Sequence, residues 1–590
     1  MFIFRWFWSI LKGALNMIAR AVVTIILLLI VLAVIGSPAA PSLPDNMVLT
    51  LDLRRDFADK TSPDLFALEG NQMSLLDVVL ALDSASRDDR VRGLFMRIGS
   101  GDLSVPKAEE LREALKTFKD SGKFVIAHSQ SFYSGGLGDF DVAAVADEIW
   151  MQPASSFFAS GTGTTTLFFR GLLDNIDAVP QFVQRYEYKN ATNIFTETGF
   201  TPEHREATGR ILQSWYDTAT TEIAGDLQMD RDTLIAILDQ SPMLVDDAIE
   251  EGLITHIGYD DEARDAALAH AGSDAELAEF TSYVRSDKDV RSQAQGPVFA
   301  LVHAVGEIVE GELDGPLSNA IIITGDDFAE AIRDASEDTD VEAILLRVDS
   351  PGGSAIASDQ ILDAIKRAQA VGIPVVVSMG SVAASGGYYI SASADRIVAN
   401  PGTLTGSIGV LWGKIATGGS FELVGVHGEE LGVGQNALFL SGLVPWNEAQ
   451  LAEVNAQADA TYEDFTEKVA EGRNMPLEEV QAVARGRVWT GADAAERGLV
   501  DELGGFWTAV ASAKNLAGVD AATEVVFREY PRQLGFFERW EQAFALSSAG
   551  LSALRGLDRI VESETVQAVI SATRDAPRGN IEFRAVGLPE

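Results

Sequence analysis

The sequence predicts an α/β protein with largely parallel strands, made of two tandem copies of one domain behind a membrane-spanning segment. Three observations carry that expectation. Short Val/Ile/Leu runs such as Phe124-Val-Ile-Ala127 and Val375-Val-Val377 alternate with amphipathic stretches of helical period. Segments of the first half recur in the second at a constant offset of 250: Val48-Leu-Thr-Leu51 falls on Val298-Phe-Ala-Leu301, and Ala81-Leu-Asp-Ser-Ala-Ser on Ala331-Ile-Arg-Asp-Ala-Ser. Ahead of both copies stands an uninterrupted apolar run, Ala21 to Ile35, behind a basic leader.

Taken in order, residues 1–46 are the leader and anchor. Arg5, Lys12 and Arg20 lie among aromatics, and Met17 to Gly36 reaches the roughly 20 residues a span needs if Arg20 snorkels. The basic flank places the N-terminus in the cytoplasm and everything after the span outside. Ser37-Pro-Ala-Ala40 offers small residues for a cleavable leader, but Pro38, Pro41 and the long aromatic start favour an uncleaved anchor.

The first copy is expected over 47–285, a polar unpatterned linker over 286–297, the second copy over 298–522 and a tail over 523–590, with one amphipathic helix around Phe536 to Leu546. Further pairings support the duplication: Arg97 falls on Arg347, Ala146-Asp-Glu-Ile149 on Ala394-Asp-Arg-Ile397, and Asp247-Ala-Ile-Glu-Glu-Gly-Leu253 on Asp493-Ala-Ala-Glu-Arg-Gly-Leu499. In the second copy Ile361, Leu362, Ile365 and Ala368 share one face of a helix.

Composition narrows the function. At 590 residues two globular units are the prior, and a formal charge of -42 repels phosphates, which argues against nucleic acid as a partner. The absence of cysteine removes disulfides, thiol nucleophiles and thiolate metal sites, and the six histidines are scattered without ligand spacing, so neither a metal nor another cofactor is expected.

Two stretches of the second copy carry the chemistry. Leu345-Leu-Arg-Val-Asp-Ser-Pro-Gly-Gly-Ser354 and Ser378-Met-Gly-Ser-Val-Ala-Ala-Ser-Gly-Gly-Tyr388 each read as a strand breaking into a glycine turn and then a helix. Side by side, such turns aim backbone N–H groups at one developing negative charge. Gly386 is one expected donor, and either Gly352 or Gly353 the other. Ser385 would expose its hydroxyl at the second turn, near the positive end of a helix. Either motif alone is ordinary turn chemistry; the pair in one strand-turn-helix series favours a site.

Val348-Asp-Ser-Pro-Gly-Gly-Ser354, Met379-Gly-Ser-Val-Ala-Ala-Ser-Gly-Gly-Tyr388 and Ile397-Val-Ala-Asn-Pro-Gly-Thr-Leu-Thr-Gly-Ser-Ile-Gly-Val410 resemble the long, two-repeat signal peptide peptidase A (protease IV) family, which belongs to the Clp protease/crotonase-like fold group. The resemblance runs from the apolar segment to about Ala522. It implies two tandem Clp protease/crotonase-like domains, a serine endopeptidase acting on cleaved signal peptides and similar apolar peptides outside the bacterial cytoplasmic membrane, and a homotetramer. It makes Ser385 the nucleophile. Thr405, Gly406 and Ser407 resemble the segment that lines the family's site, and this stretch is expected to pair with an extended substrate as an added strand.

A serine hydroxyl needs a base, and the second copy offers no obvious one. His427 is its alternative to a lysine, since no lysine lies between Lys414 and Lys468. The corresponding stretch of the first copy holds Lys189 among aromatics, in Tyr186-Glu-Tyr-Lys-Asn-Ala191. Position alone would make Lys189 a surface residue; the resemblance assigns it the general base of a Ser/Lys dyad. That role requires a neutral amine, hence a buried and unpaired lysine. The first copy keeps Tyr133-Ser-Gly-Gly136, but Gly99-Ser-Gly-Asp102 replaces the Pro-Gly-Gly turn, so Ser134 is expected to be vestigial. Two rivals stand beside this reading: acyl-thioester chemistry of the crotonase kind, and a non-catalytic membrane scaffold.

Overall fold

The computed structural model describes residues 43–55, 57–60, 73–99, 103–132, 136–313 and 321–532. Among them no helix is long and apolar enough to cross a membrane; the run Met17 to Gly36 and the expected tail helix lie outside the described residues. Two compact units emerge. One takes in the described residues up to 58, then 73–163 and 216–294; the other takes in 59–60, 164–215 and everything described from 295 on.

The first unit is centred on a six-stranded sheet. Its parallel middle consists of Met47–Asp52, Val91–Ile98, Phe124–Ser129 and Glu148–Met151, flanked by His256–Ile257 and Glu276–Glu279. Parallel strands are buried on both faces, which is why Val91-Arg-Gly-Leu-Phe-Met96 is nearly continuous in apolar residues rather than alternating. The helix Leu75–Arg87 starts at a capping box: Ser74 Oγ accepts from Asp77 N at 3.1 Å, and Ser74 N donates to Asp77 Oδ2 at 3.1 Å.

The second unit repeats this plan around an eight-stranded sheet. Val526–Tyr530, Val298–Val305, Val341–Ser350 and Val375–Ala384 run parallel; Val375–Ala384 then pairs with both Arg396–Ala399 and Leu404–Gly406. The helices Gly325–Glu337 and Ala355–Ala370 keep the 250 offset from Leu75–Arg87 and Val105–Asp120. In both sheets the first two strands slip register after the first residue, at Met47/Val48 and at Val298/Phe299. Ile361, Leu362, Ile365 and Ala368 are buried as their spacing predicts. Inside this unit Arg347 and Asp59 are buried together, with Arg347 Nε and Nη2 donating to Asp59 at 2.7 and 2.9 Å and Nη1 donating to Ser378 Oγ at 2.9 Å.

Two stretches differ from the sequence reading. Residues 286–291, expected within the linker, complete the helix Phe280–Arg291. Its last turns are polar and held by ion pairs, Arg291 to Asp287 and Lys288 to Asp77, both at 2.7 Å, so the apolar period of Phe280, Tyr283 and Val284 stops short of them. The second repeat continues past Ala522 to the strand Val526–Tyr530, which occupies the place that Glu276–Glu279 holds in the first sheet, again 250 residues earlier. Both are edge strands of different sequence, which hides their equivalence.

A third difference positions the chemistry. Residues 164–215 lie within the first repeat in sequence but pack in the second unit. There Val179–Arg185 forms an antiparallel ribbon with Val410–Ala416, in a register that pairs Arg185 with Val410 and Val179 with Ala416.

Candidate active site

The ribbon register brings the reacting groups together. Lys189 lies four residues beyond Arg185 on one strand and Ser407 three before Val410 on the other, so pairing Arg185 with Val410 delivers both to the same end. Gly409 makes the crossover feasible: a Cβ there would lie 2.4 Å from Arg185 O.

Lys189 is 6% exposed, and its Nζ has three oxygen neighbours. Ser385 Oγ lies at 3.0 Å, Ser407 O at 2.7 Å and Ser407 Oγ at 2.9 Å. None of them is a carboxylate. Burial therefore acts unopposed and pulls the lysine down from 10.5 to about 7. Near neutral pH about half the population carries a free amine, against about one in 3,000 for an unperturbed lysine. A neutral amine has two hydrogens and one lone pair. With the hydrogens donated to Ser407 O and Oγ, the lone pair faces the Ser385 hydroxyl.

Ser385 stands at the end of Val375–Ala384 and immediately before the helix Gly386–Ser391. Its backbone takes φ 55° and ψ −119°, a conformation costly for a residue with a Cβ by about 1–3 kcal/mol. Ser385 N donates to Gly406 O at 2.9 Å and Ser385 O accepts from Tyr389 N at 2.9 Å, which pins the turn and keeps the hydroxyl partly accessible. The helix is only six residues long, so the individual N–H groups at its start matter more than its dipole.

The glycine turn of Pro351-Gly-Gly packs directly on this corner. A Cβ on Gly352 would lie 2.5 Å from Gly386 N and 2.8 Å from Ser385 Cβ, and one on Gly386 would lie 3.1 Å from Gly353 N. The choice left open between the two early glycines narrows here. Gly352 N already donates to Ser350 Oγ at 3.1 Å. Gly353 is bridged to Ile308 by Ile308 N to Gly352 O and Ser354 N to Ile308 O, bonds that leave its own N–H on the opposite side. The N–H groups of Gly353 and Gly386 are thus the pair available to a developing oxyanion.

The segment expected to bind substrate has other tasks. Thr405 is fully buried and its Oγ1 donates to Ala383 O at 2.8 Å, tying strand to strand. Leu404–Gly406 has a neighbour on each edge, Val375–Ala384 and Val488–Thr490, so an added strand has no place there. Gly406 supplies the carbonyl that holds Ser385, and Ser407 is the partner of the lysine. His427 is exposed, and the amine beside Ser385 Oγ is that of Lys189. Ser134 lies outside the described residues.

Sequence reasoning missed the loop Arg485-Gly486-Arg487, which is bonded to both arms of the site. Arg485 O accepts from Tyr186 N and Tyr188 N, Gly486 N donates to Ile408 O, and Arg487 O accepts from Ser407 N. Its one legible signal is a glycine between two arginines just before the apolar Val488-Trp489.

Comparison with known proteins places the chain in a family. Residues 117–274 and 367–520 each match the profile of Peptidase family S49, so the family domain occurs twice. Protease 4 of Haemophilus influenzae is 31% identical over 471 residues, covering 77% of this chain and 75% of that protein. Protease 4 of Salmonella typhi is 30% identical, covering 87% and 86%. The chain belongs to peptidase family S49. A putative signal peptide peptidase SppA of Enterococcus faecium is 32% identical over 40% of this chain and 67% of its own length. As an S49 member the protein is a serine protease, and one family match falls within each of the two repeats.

Proposed function

We propose that this S49 protease is a membrane-anchored endopeptidase in which Ser385 is the nucleophile and Lys189 the general base, and that it degrades cleaved signal peptides and similar apolar peptides. The observation that carries the dyad is a dry, carboxylate-free amine 3.0 Å from a serine hydroxyl on a strained turn. The apolar substrate class draws support from the name of the Enterococcus relative and from exposed apolar side chains on the ribbon and beside it, among them Tyr186 and Leu411.

The steps follow from the geometry. Neutral Lys189 accepts the Ser385 proton as Oγ attacks the scissile carbonyl, and the oxyanion forms against the N–H groups of Gly353 and Gly386. The resulting ammonium is held by Ser407 O and Oγ until it returns the proton to the leaving amine. The acyl group stays on Ser385 as an ester. Water, deprotonated by the regenerated neutral lysine, then hydrolyses it and restores the serine. Below about pH 7 the lysine is protonated and the rate falls tenfold per unit.

The wider setting rests on the sequence. The apolar run behind Arg5, Lys12 and Arg20 supports a single span with the N-terminus in the cytoplasm and the catalytic units outside the bacterial membrane. The family resemblance supports tandem Clp protease/crotonase-like domains and a homotetramer.

Digestion of synthetic leader peptides by full-length protein, followed by mass spectrometry, tests this function. Wild type should cut within the apolar core, and Ser385→Ala and Lys189→Ala should each abolish cleavage. Retained cleavage in either variant refutes the dyad. Ser134→Ala should leave activity intact. A full chain that stays soluble without detergent after expression in bacteria refutes the anchor.

A further inference from the structure

Burial is what pulls the Lys189 amine down toward neutrality, so whatever excludes the water sets the strength of the base. Ser385 and Ser407 cover the amine itself; a different element covers the backbone and the start of the side chain.

We propose that the loop Arg485-Gly486-Arg487 is the positioning element that seals Lys189 from solvent and keeps its amine aimed at Ser385, an inference that rests on the dyad assigned above. The loop is stitched to both arms that meet at the site. On the lysine arm, Arg485 O accepts from Tyr186 N at 3.1 Å and Tyr188 N at 3.3 Å. On the other, Gly486 N donates to Ile408 O at 2.8 Å and Arg487 O accepts from Ser407 N at 2.7 Å. The separation between Lys189 and Ser407 is thereby fixed by three consecutive residues of a third segment.

Contact is closest at Gly486. A Cβ there would stand 2.4 Å from Lys189 Cβ, 2.5 Å from Lys189 N and 2.7 Å from Lys189 Cα, distances at which backbone must move. Arg485 and Gly486 both take left-handed conformations, φ 55° and 82°, which turn the glycine's bare face onto the lysine. No larger residue would close that gap without lifting the loop or displacing the base.

The flanking side chains lock the loop down. Arg485 makes paired bonds to Glu187 at 2.8 Å each and lies over the Tyr186 ring, and its N–H donates to Tyr462 Oη at 3.3 Å. Arg487 is sandwiched between Tyr188 and Trp489, at 4.8 and 4.1 Å from their ring centres, and bonds Glu206 at 2.8 Å. The charges facing this corner are therefore matched among themselves, Arg485 with Glu187, Arg487 with Glu206 and Arg185 with Asp459. The shift of Lys189 has burial as its only cause.

The test is the pH dependence of kcat/KM on a fluorogenic apolar peptide, with fluorophosphonate labelling of Ser385 over the same range. Wild type, Gly486→Ala, Arg487→Met and Lys189→Ala are compared as full-length proteins. Gly486→Ala should raise the midpoint of the acid limb by about one unit or more, so that kcat/KM at pH 6 falls at least about tenfold and recovers most of that loss at pH 9. Arg487→Met loosens the loop without inserting an atom and should move the midpoint the same way by less. It decides the question should Gly486→Ala not fold. An unchanged midpoint overturns the proposal, whether the rate drops uniformly or stays at the wild-type level. Activity surviving in Lys189→Ala is a separate result, refuting the dyad itself.

Discussion

Removal of the Ser407 hydroxyl tests how the lysine is aimed. Nζ is tied to Ser407 twice, through the carbonyl at 2.7 Å and the hydroxyl at 2.9 Å, and these two acceptors leave only the direction of Ser385 for the lone pair. Ser407→Ala keeps one tie, so the amine is free to turn about its last bond among staggered positions. The ammonium formed in the transition state also loses a charge-assisted hydrogen bond, about 1.5–3 kcal/mol. At about 1.4 kcal/mol per tenfold, kcat should fall by one to two orders of magnitude. The lost bond favoured the charged lysine, so the acid limb should move below its wild-type position near pH 7. Ser407 has φ 51°, which glycine tolerates better than alanine, so Ser407→Gly separates loss of the hydroxyl from backbone strain and should match Ser407→Ala in kcat. Steady-state kinetics on a leader-derived peptide should show the loss in kcat with KM nearly unchanged. A wild-type kcat, or a change confined to KM, would refute the reasoning.

Lys189→Met should abolish activity yet make the second unit more stable. The native lysine titrates near 7 and the unfolded one near 10.5, so between those values the unfolded chain holds a proton that the native chain lacks, and wild-type stability rises with pH. Below 7 the full penalty is present, about 5 kcal/mol, offset by about 1–3 kcal/mol for acceptors the methionine leaves unpaired. Denaturant titrations at pH 6 and 9 check it, and a less stable variant at pH 6 contradicts the buried-charge argument. Gly353→Ala would set a Cβ 2.0 Å from Ile308 O, forcing backbone to move and displacing one oxyanion donor, with an expected fall of about 10²–10³ in kcat accompanied by a loss of stability in a denaturant titration. Arg347→Met leaves the Asp59 carboxylate buried without its guanidinium and should cost about 3–5 kcal/mol in a denaturant titration, whereas the double variant with Asp59→Asn should recover much of it.

Much of this was legible in the sequence, for identifiable reasons. Buried parallel strands must be apolar on both faces and helices must keep one apolar face, so the duplicated core showed itself through Val48 and Val298 or Ala81 and Ala331. The turns around Gly352 and Ser385 were legible because close backbone approach leaves few residue choices. Stretches with little apolar pattern were not: the last turns of Phe280–Arg291 are polar and held by ion pairs, and Val526–Tyr530 is a short edge strand. Nor was the role of Ser407 or of Arg485-Gly486-Arg487. The lysine meets them through the pairing of Val179–Arg185 with Val410–Ala416, a contact across more than 200 residues that no local pattern encodes. The same remoteness gave the Thr405 stretch a substrate-strand role that its two occupied edges deny.

The most direct measurement is the ionisation of Lys189 itself, followed by NMR of the full-length protein labelled with ¹³C at lysine Cε and titrated from pH 5 to 11. One lysine signal should titrate near pH 7 and be missing from the Lys189→Met spectrum. If every lysine signal instead titrates above about 9.5, the amine beside Ser385 is charged at working pH and is not the base.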